Sequence, residues 1–372
     1  MPINDQLTEL RNALVRKQWL AIKDHTVNIA EGLDKRMDEY RQYGTHTMQV
    51  IVADAGVTTE DFGRCTMALK ADPRLSFLLR LPAIAAMGGA FGDAVEKSFF
   101  NSSSGTFRET TALVGMFTRI LDSLIDDAPD LIGEEHVPLL TLLNKKSWEE
   151  SVLFPSDDEL LAKHPAVSLL YKFTRECVGR IKRSEYWKSN ASLPIREIFS
   201  STAENSLESE YQTIGCEIKG NSDAYDPQIL SIVQEKSQDM MMVMALAPIT
   251  HFGWPPHVDI AAYETSIKRL GNLFGWIDDI GDVHDDLEDG NWSEVLIELY
   301  ENAQKPPYSS KDQLDEMICT WLRDDKIVDH LVSKGLNLYS EALSGFEGIG
   351  IDPLPLQQYT TDAILSWISP KE

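Results

Sequence analysis

Apolar residues recur along this chain at intervals of three and four, the spacing of one helix face, almost from end to end. In residues 5–45 the rhythm is carried by Leu7, Leu10, Leu14, Trp19, Leu20, Ile22 and Val27, and Asn4 or Asp5 is placed to cap the start. TMQVIVADAGV (47–57) reads as helix or loop, since no second strand pairs with it. Thr58 with Asp61 makes a capping box that opens another helix. Pro82 and Gly88-Gly89 punctuate 81–92. Further helices are predicted over 107–127, 166–187, 195–219 and 228–249, the last ending at Pro248. Another runs from about Asp259 through the late 280s, and others cover 293–304, 312–334, 336–345 and 357–367. The expectation is an all-α protein. It would form one helical bundle around a central apolar cavity, with N-terminal helices in 1–104, a core in 105–290 and C-terminal helices in 291–372.

Two of these helices break the usual pattern on their polar side. In 107–127 the buried side is Leu113, Phe117, Ile120, Leu121 and Leu124, and the opposite side carries Thr111, Gly115, Thr118, Asp122 and Asp126. That side lacks the lysines and glutamates of a solvated face, and the chain continues through Asp127, Pro129 and Asp130. In Leu273–Trp292, seven of the twelve residues from Asp278 to Asp289 are acidic. Asp278, Asp282 and Asp286 climb one face at intervals of four, above Gly271 and Gly275 on the same face, where missing side chains would leave room for a ligand. Like charges so spaced repel, and a bound cation would cancel the repulsion. Hard carboxylate oxygens point to Mg2+. The plainer alternative for each is a solvated acidic helix end. An EF-hand loop from Asp285 fails because Leu287 and Leu296 stand at ligand positions, and a di-iron bundle fails because no histidine follows a glutamate at three residues.

Composition narrows the partners. The net charge is −25, which excludes a nucleic-acid surface and attraction to anionic membranes. No apolar run reaches the roughly 18 residues of a membrane span. The four cysteines are scattered, and the polar MPINDQLTEL suggests no signal peptide, so a cytoplasmic monomer or homodimer is expected. In so acidic a chain, the basic stretch Lys172, Arg175, Arg180, Lys182 and Arg183 is either a diphosphate clamp or a salt-bridged surface helix. Lys236, Met240 and Met244 share a face, a cation over apolar residues.

If the two acidic helix ends face each other, their carboxylates and metal would grip a diphosphate, and its departure would be assisted electrostatically without a protein nucleophile. An aromatic-lined hollow would stabilise the carbocation left behind. DDAPD (126–130) and DDIGD (278–282) both match the DDxxD pattern of the class I isoprenoid synthases, and the chain resembles that superfamily over roughly 105–290. LFGWIDDIGDVHDD looks like the second aspartate-rich helix of trans-prenyltransferases, and EKSQDMMMVMALAPI like the lysine helix before it.

The resemblance implies a Mg2+ site of up to three ions on Asp122, Asp126, Asp127, Asp130, Asp278, Asp279, Asp282 and Asp286. Asp126, Asp127, Asp278 and Asp282 would drive ionisation with Lys236, which would contact the diphosphate together with Arg175, Arg180 or Arg323. Phe117, Met240 and Phe274 would receive the prenyl tail. The sequence departs from chain-elongating enzymes: no Arg-Arg pair follows the first motif, and no Gly-Lys-Arg segment precedes it. These gaps favour a one-substrate terpene cyclase, a carbon–oxygen lyase acting on farnesyl diphosphate, over a prenyltransferase of the same superfamily. A further alternative is an HD-type metal phosphohydrolase using His284-Asp285, His251 or His257, and Asp324.

Overall fold

A computed structural model describes residues 3–26, 32–102, 105–133, 153–189, 192–213, 216–218, 221–222 and 225–369. Within them the fold is all-α. There is no strand among the described residues, only an isolated antiparallel bridge between Glu217 and Asn291. The segment read as one helix over 5–45 is two, Ile3–His25 and Leu33–Asp54, the second entered through Gly32 in a left-handed conformation (φ 79°). The first already runs at Ile3, so neither Asn4 nor Asp5 caps it. The Thr58 capping box forms as expected, with Asp61 N–H donating to Thr58 Oγ1 at 3.2 Å and Thr58 N–H donating to Asp61 Oδ2 at 2.8 Å.

Neither Pro82 nor Gly88-Gly89 interrupts the chain: Leu81–Phe100 is one helix. Pro82 sits in its first turn, where a missing N–H costs nothing, and the glycines serve packing. A Cβ at Gly88 would lie 3.1 Å from the Thr111 carbonyl oxygen, and one at Gly92 would lie 2.6 Å from that of Phe107. This helix therefore beds closely on the first aspartate helix, Thr106–Asp126. The stretch Pro73–Phe100 is long and apolar enough to cross a membrane by length and composition, which the sequence reading did not anticipate, but more than half of its apolar window is buried inside the protein.

Three helices position the site. The lysine helix, Ile229–Phe252, runs through Pro248 instead of ending there. It packs on the first aspartate helix on one side and on the second, Ile260–Asp289, on the other. Both aspartate helices pack on the lysine helix rather than extensively on each other. The second is capped by the Asp259 side chain, which accepts from the Ala262 N–H at 3.1 Å, and closes at Gly290 with φ 78°. Its inward side, including Leu270, Leu273, Trp276, Ile277, Ile280 and Val283, is fully buried against Ile3–His25 and Asp325–Gly345.

Candidate active site

The aspartates at the ends of the two helices converge. Asp122 lies one turn before Asp126. Lys236, from the lysine helix, bridges both, with Nζ 2.9 Å from Asp122 Oδ1 and 3.0 Å from Asp126 Oδ2. Arg119 Nη1 donates to the other oxygen of Asp122 at 2.7 Å. The same guanidinium acts electrostatically on Asp127, Asp278 and Asp282, so it stands between the two clusters.

Crowding of carboxylates sets the electrostatics. Burial, then the charges of Asp282 and Asp122, push the Asp278 carboxyl up to about 7. Burial, with Asp282, Asp278 and Asp285 nearby, pushes Asp286 up to about 8. Burial raises Asp282, Asp126 and Asp127 as well. Asp122 is the exception. Burial alone would raise it, but Lys236 and Arg119 hold it below the ordinary carboxylate range. Asp286 Oδ2 is buried without a hydrogen bond of good geometry, although the Ser293 hydroxyl is near enough to act on the carboxyl. A half-neutralised, hard-oxygen donor set with a poorly satisfied oxygen fits a divalent cation. Asp122, Asp126, Asp127, Asp278, Asp282 and Asp286 are the residues that could hold one.

Two of the expected metal ligands are employed elsewhere. Asp130 is paired with Arg74 at 2.6 Å on the surface. Asp279 accepts from the backbone N–H of Glu294 and so fixes the start of the next helix, Glu294–Asn302; it stands about 100° around the helix from Asp278 and on the side of Asp286, whose charge acts on it.

Gly271 and Gly275 do not leave a ligand space. A Cβ at Gly271 would lie 2.7 Å from both Gln238 Cα and the Ser237 carbonyl oxygen, and one at Gly275 would meet Ser237 Oγ at 2.5 Å. They let the lysine helix approach closely, which brings Lys236 within electrostatic reach of Asp278. At Gly115 a Cβ would fit in ordinary van der Waals contact. The nearest atoms to a Cβ there are Ile84 Cγ2 and Met244 Cε, both at 3.6 Å. Ile84, Met240, Met244 and Phe274 remain only half-buried. Phe274 lies one turn below Asp278, its ring tilted against those of Tyr359 and Trp367 with centroids 6.5 and 5.9 Å away. Ile84 and Met244 thus meet beside Gly115, and Phe274 lies a turn from Asp278. Phe117 does not join them: it is buried about 140° around the helix from Asp122.

The proposed arginines are corrected too. Arg175 pairs with Asp157 at 2.9 Å. Arg180 is enclosed by Glu109, Glu176 and Asp54. Glu109 lies 17 residues before Asp126 on one helix, about 25 Å away. Lys172 is buried against Asp61 at 2.6 Å, and Arg183 pairs with Glu176. The basic helix is therefore the salt-bridged structural element, not a clamp. Arg323 donates to Gln6.

Besides Lys236, the cations near the aspartates are ones that spacing did not single out. They are Arg119, Arg80 at the end of Pro73–Arg80, and Arg11 on the first helix. Arg119 had a local signal, three residues before Asp122 on the acidic face. Arg80 and Arg11 had none, and both lie outside the 105–290 span of the resemblance. For the phosphohydrolase alternative, His251 Nδ1 is bonded to the Arg180 backbone carbonyl oxygen at 3.2 Å, 15 residues and about 22 Å along the helix from Lys236, whereas half-buried His284 does lie with exposed Asp285 and Glu288 in one group, their ligand atoms within 4.8 Å of one another.

No protein-family profile matches the chain, and no curated protein does. Solved structures do. A geranylgeranyl pyrophosphate synthetase from the archaeon Geoglobus acetivorans superposes with a TM-score of 0.50 at 13% identity, covering 91% of this chain and 99% of that one. A geranylgeranyl pyrophosphate synthase from Lactobacillus brevis, complexed with citrate, does so with a TM-score of 0.51 at 11% identity over the same shares. The fold is that of the class I isoprenoid synthases. The same comparison corrects the expected reaction, because the structures that share the fold are synthases of prenyl diphosphates, not cyclases. The cyclase and lyase expectation, with its farnesyl-derived cyclic product, rested on missing local basic motifs. Arg80 acts electrostatically on Asp127 and Asp282, and Arg11 on Asp282, from elsewhere in the chain.

Proposed function

We propose that this protein is a divalent-metal-dependent prenyltransferase that joins an allylic prenyl diphosphate to a second isoprenoid. The observation that carries the reading is the pairing of Lys236 with Asp122 and Asp126, within electrostatic reach of Asp278 on the second ladder and one turn before half-buried Met240. Magnesium held by Asp122, Asp126 and Asp127 on one side, and by Asp278, Asp282 and Asp286 on the other, would neutralise the diphosphate and make it a better leaving group. Lys236, already within 3 Å of two carboxylates, is placed to donate to the departing diphosphate as it gains charge. Met240, Met244, Ile84 and Phe274 would exclude water from the allylic cation, and the Phe274 ring adds a face that stabilises positive charge. Arg80 and Arg11 supply cationic groups for a second anionic substrate on the Asp282 side. The proton released on bond formation needs no protein base in this reading, because the departing diphosphate is itself one.

Incubation with Mg2+, an allylic diphosphate and isopentenyl diphosphate tests it. A longer prenyl diphosphate is expected, or a doubled chain from the allylic substrate alone. Hydrocarbon or alcohol from the allylic substrate with no chain growth under either condition would remove the reading.

A further inference from the structure

The two aspartate helices belong to one site but pack on the lysine helix between them, and the space they share is crossed by one guanidinium. Arg119 is three residues before Asp122, one turn below it, and bonds it at 2.7 Å. It also acts on Asp127 from its own helix and on Asp278 and Asp282 from the other. Its side chain is about one third exposed. One carboxylate therefore bonds, and three more act electrostatically on, a cation that the chain itself carries. A lysine there would be a point charge. A guanidinium presents five donors in a plane, enough to hold one carboxylate while turning a free edge to an oxyanion.

We propose that Arg119 is a built-in counter-cation: it neutralises the facing aspartate ladders before metal binds, and its guanidinium then turns to the diphosphate that metal brings in. This rests on the reading of the site as a diphosphate site. Its consequences have opposite signs. Before diphosphate binds, Arg119 competes with metal for Asp122 and repels cations from the cluster. Once diphosphate is present, Arg119 adds to the grip on it. Arg119 thus makes binding of metal and diphosphate more cooperative than carboxylates alone would.

The experiment uses the full chain, with Mn2+ as the metal probe read by electron paramagnetic resonance and inorganic diphosphate titrated calorimetrically at saturating Mn2+. Arg119→Ala should bind Mn2+ alone about fivefold more tightly, the loss of one partly screened charge pair, and diphosphate about tenfold more weakly. Arg119→Lys keeps the charge and the helix but loses the fork, so its metal affinity should stay near wild type while diphosphate affinity still falls. Circular dichroism checks folding, and Arg119→Lys carries the test if Arg119→Ala does not fold. Unchanged diphosphate affinity in Arg119→Lys, or metal and diphosphate affinities of Arg119→Ala moving in the same direction, would overturn the proposal. So would a wild-type protein that binds no Mn2+. These readouts need no turnover: the expected pattern in a protein that transfers no prenyl group would keep this role and defeat the reaction.

Discussion

The Nζ of Lys236 lies 2.9 Å from Oδ1 of Asp122, so a lysine from one helix closes an acidic turn on another. The contact exists because the lysine helix packs on both aspartate helices, and Gly271 and Gly275 allow the closer of those approaches. Replacing Lys236 by Ala should lower turnover about 100-fold, the scale of losing one donor to a leaving group. Helicity by circular dichroism should not change. Lys236→Ala at wild-type turnover would take the lysine out of the mechanism.

The packing role of the glycines predicts a contrast. Gly271→Ala forces a methyl against Gln238 Cα at 2.7 Å and should destabilise by about 1–3 kcal/mol, because backbone cannot move aside as a flexible side chain can. Gly115→Ala meets nothing closer than 3.6 Å and should fold normally. Denaturant melts of the two variants check this, and equal losses would mean that Gly115 is also a packing position.

Two adjacent carboxylates should behave differently. Asp278 faces the ladder, whereas Asp279 accepts a backbone N–H from Glu294. Asp278→Asn should abolish measurable turnover. Asp279→Asn keeps an acceptor for that N–H and should stay within severalfold of wild type. Asp130→Ala, which loses only a surface pair with Arg74, should be close to neutral. Steady-state rates of the three variants decide it.

The pH dependence of stability has a definite sign. In the folded, metal-free protein Asp278 and Asp286 sit at about 7 and about 8, against an ordinary value of 3.8. The fold therefore holds their protons more tightly than the unfolded chain does. That contribution is complete below about pH 4 and is lost as pH rises through 7 and 8. In the presence of a chelator the melting temperature should fall over that upper range, and the double variant Asp278→Asn with Asp286→Asn should flatten the fall. Magnesium should restore stability most at the alkaline end. A metal-free melting temperature that rises from about pH 6 to about 8.5 would contradict the assignment.

Much of the site could be read along single helices. Asp122 and Asp126, and Asp278, Asp282 and Asp286, were legible because a period of four places carboxylates on one face. Lys236 with Met240 and Met244 was legible for the same reason. What failed was inference across helices. Arg175 and Arg180 looked available because the sequence does not show Asp157, Glu109 and Asp54 folding onto them. Asp130 was lost to Arg74, and Asp279 to a backbone group. Gly271 and Gly275 looked like space because a missing side chain reads the same whether a ligand or another backbone fills the gap.

The sequence by itself determined the all-α architecture and both aspartate ladders, since helical periodicity and spacing along one helix are local properties of a chain. It could not say which charges neutralise those ladders. Arg11, Arg80 and Arg119 act on them electrostatically from three separate helical segments, and that reach depends on how the segments pack. Only the tertiary structure decides that, because electrostatic attraction acts over a few ångströms of space and is indifferent to distance along the sequence.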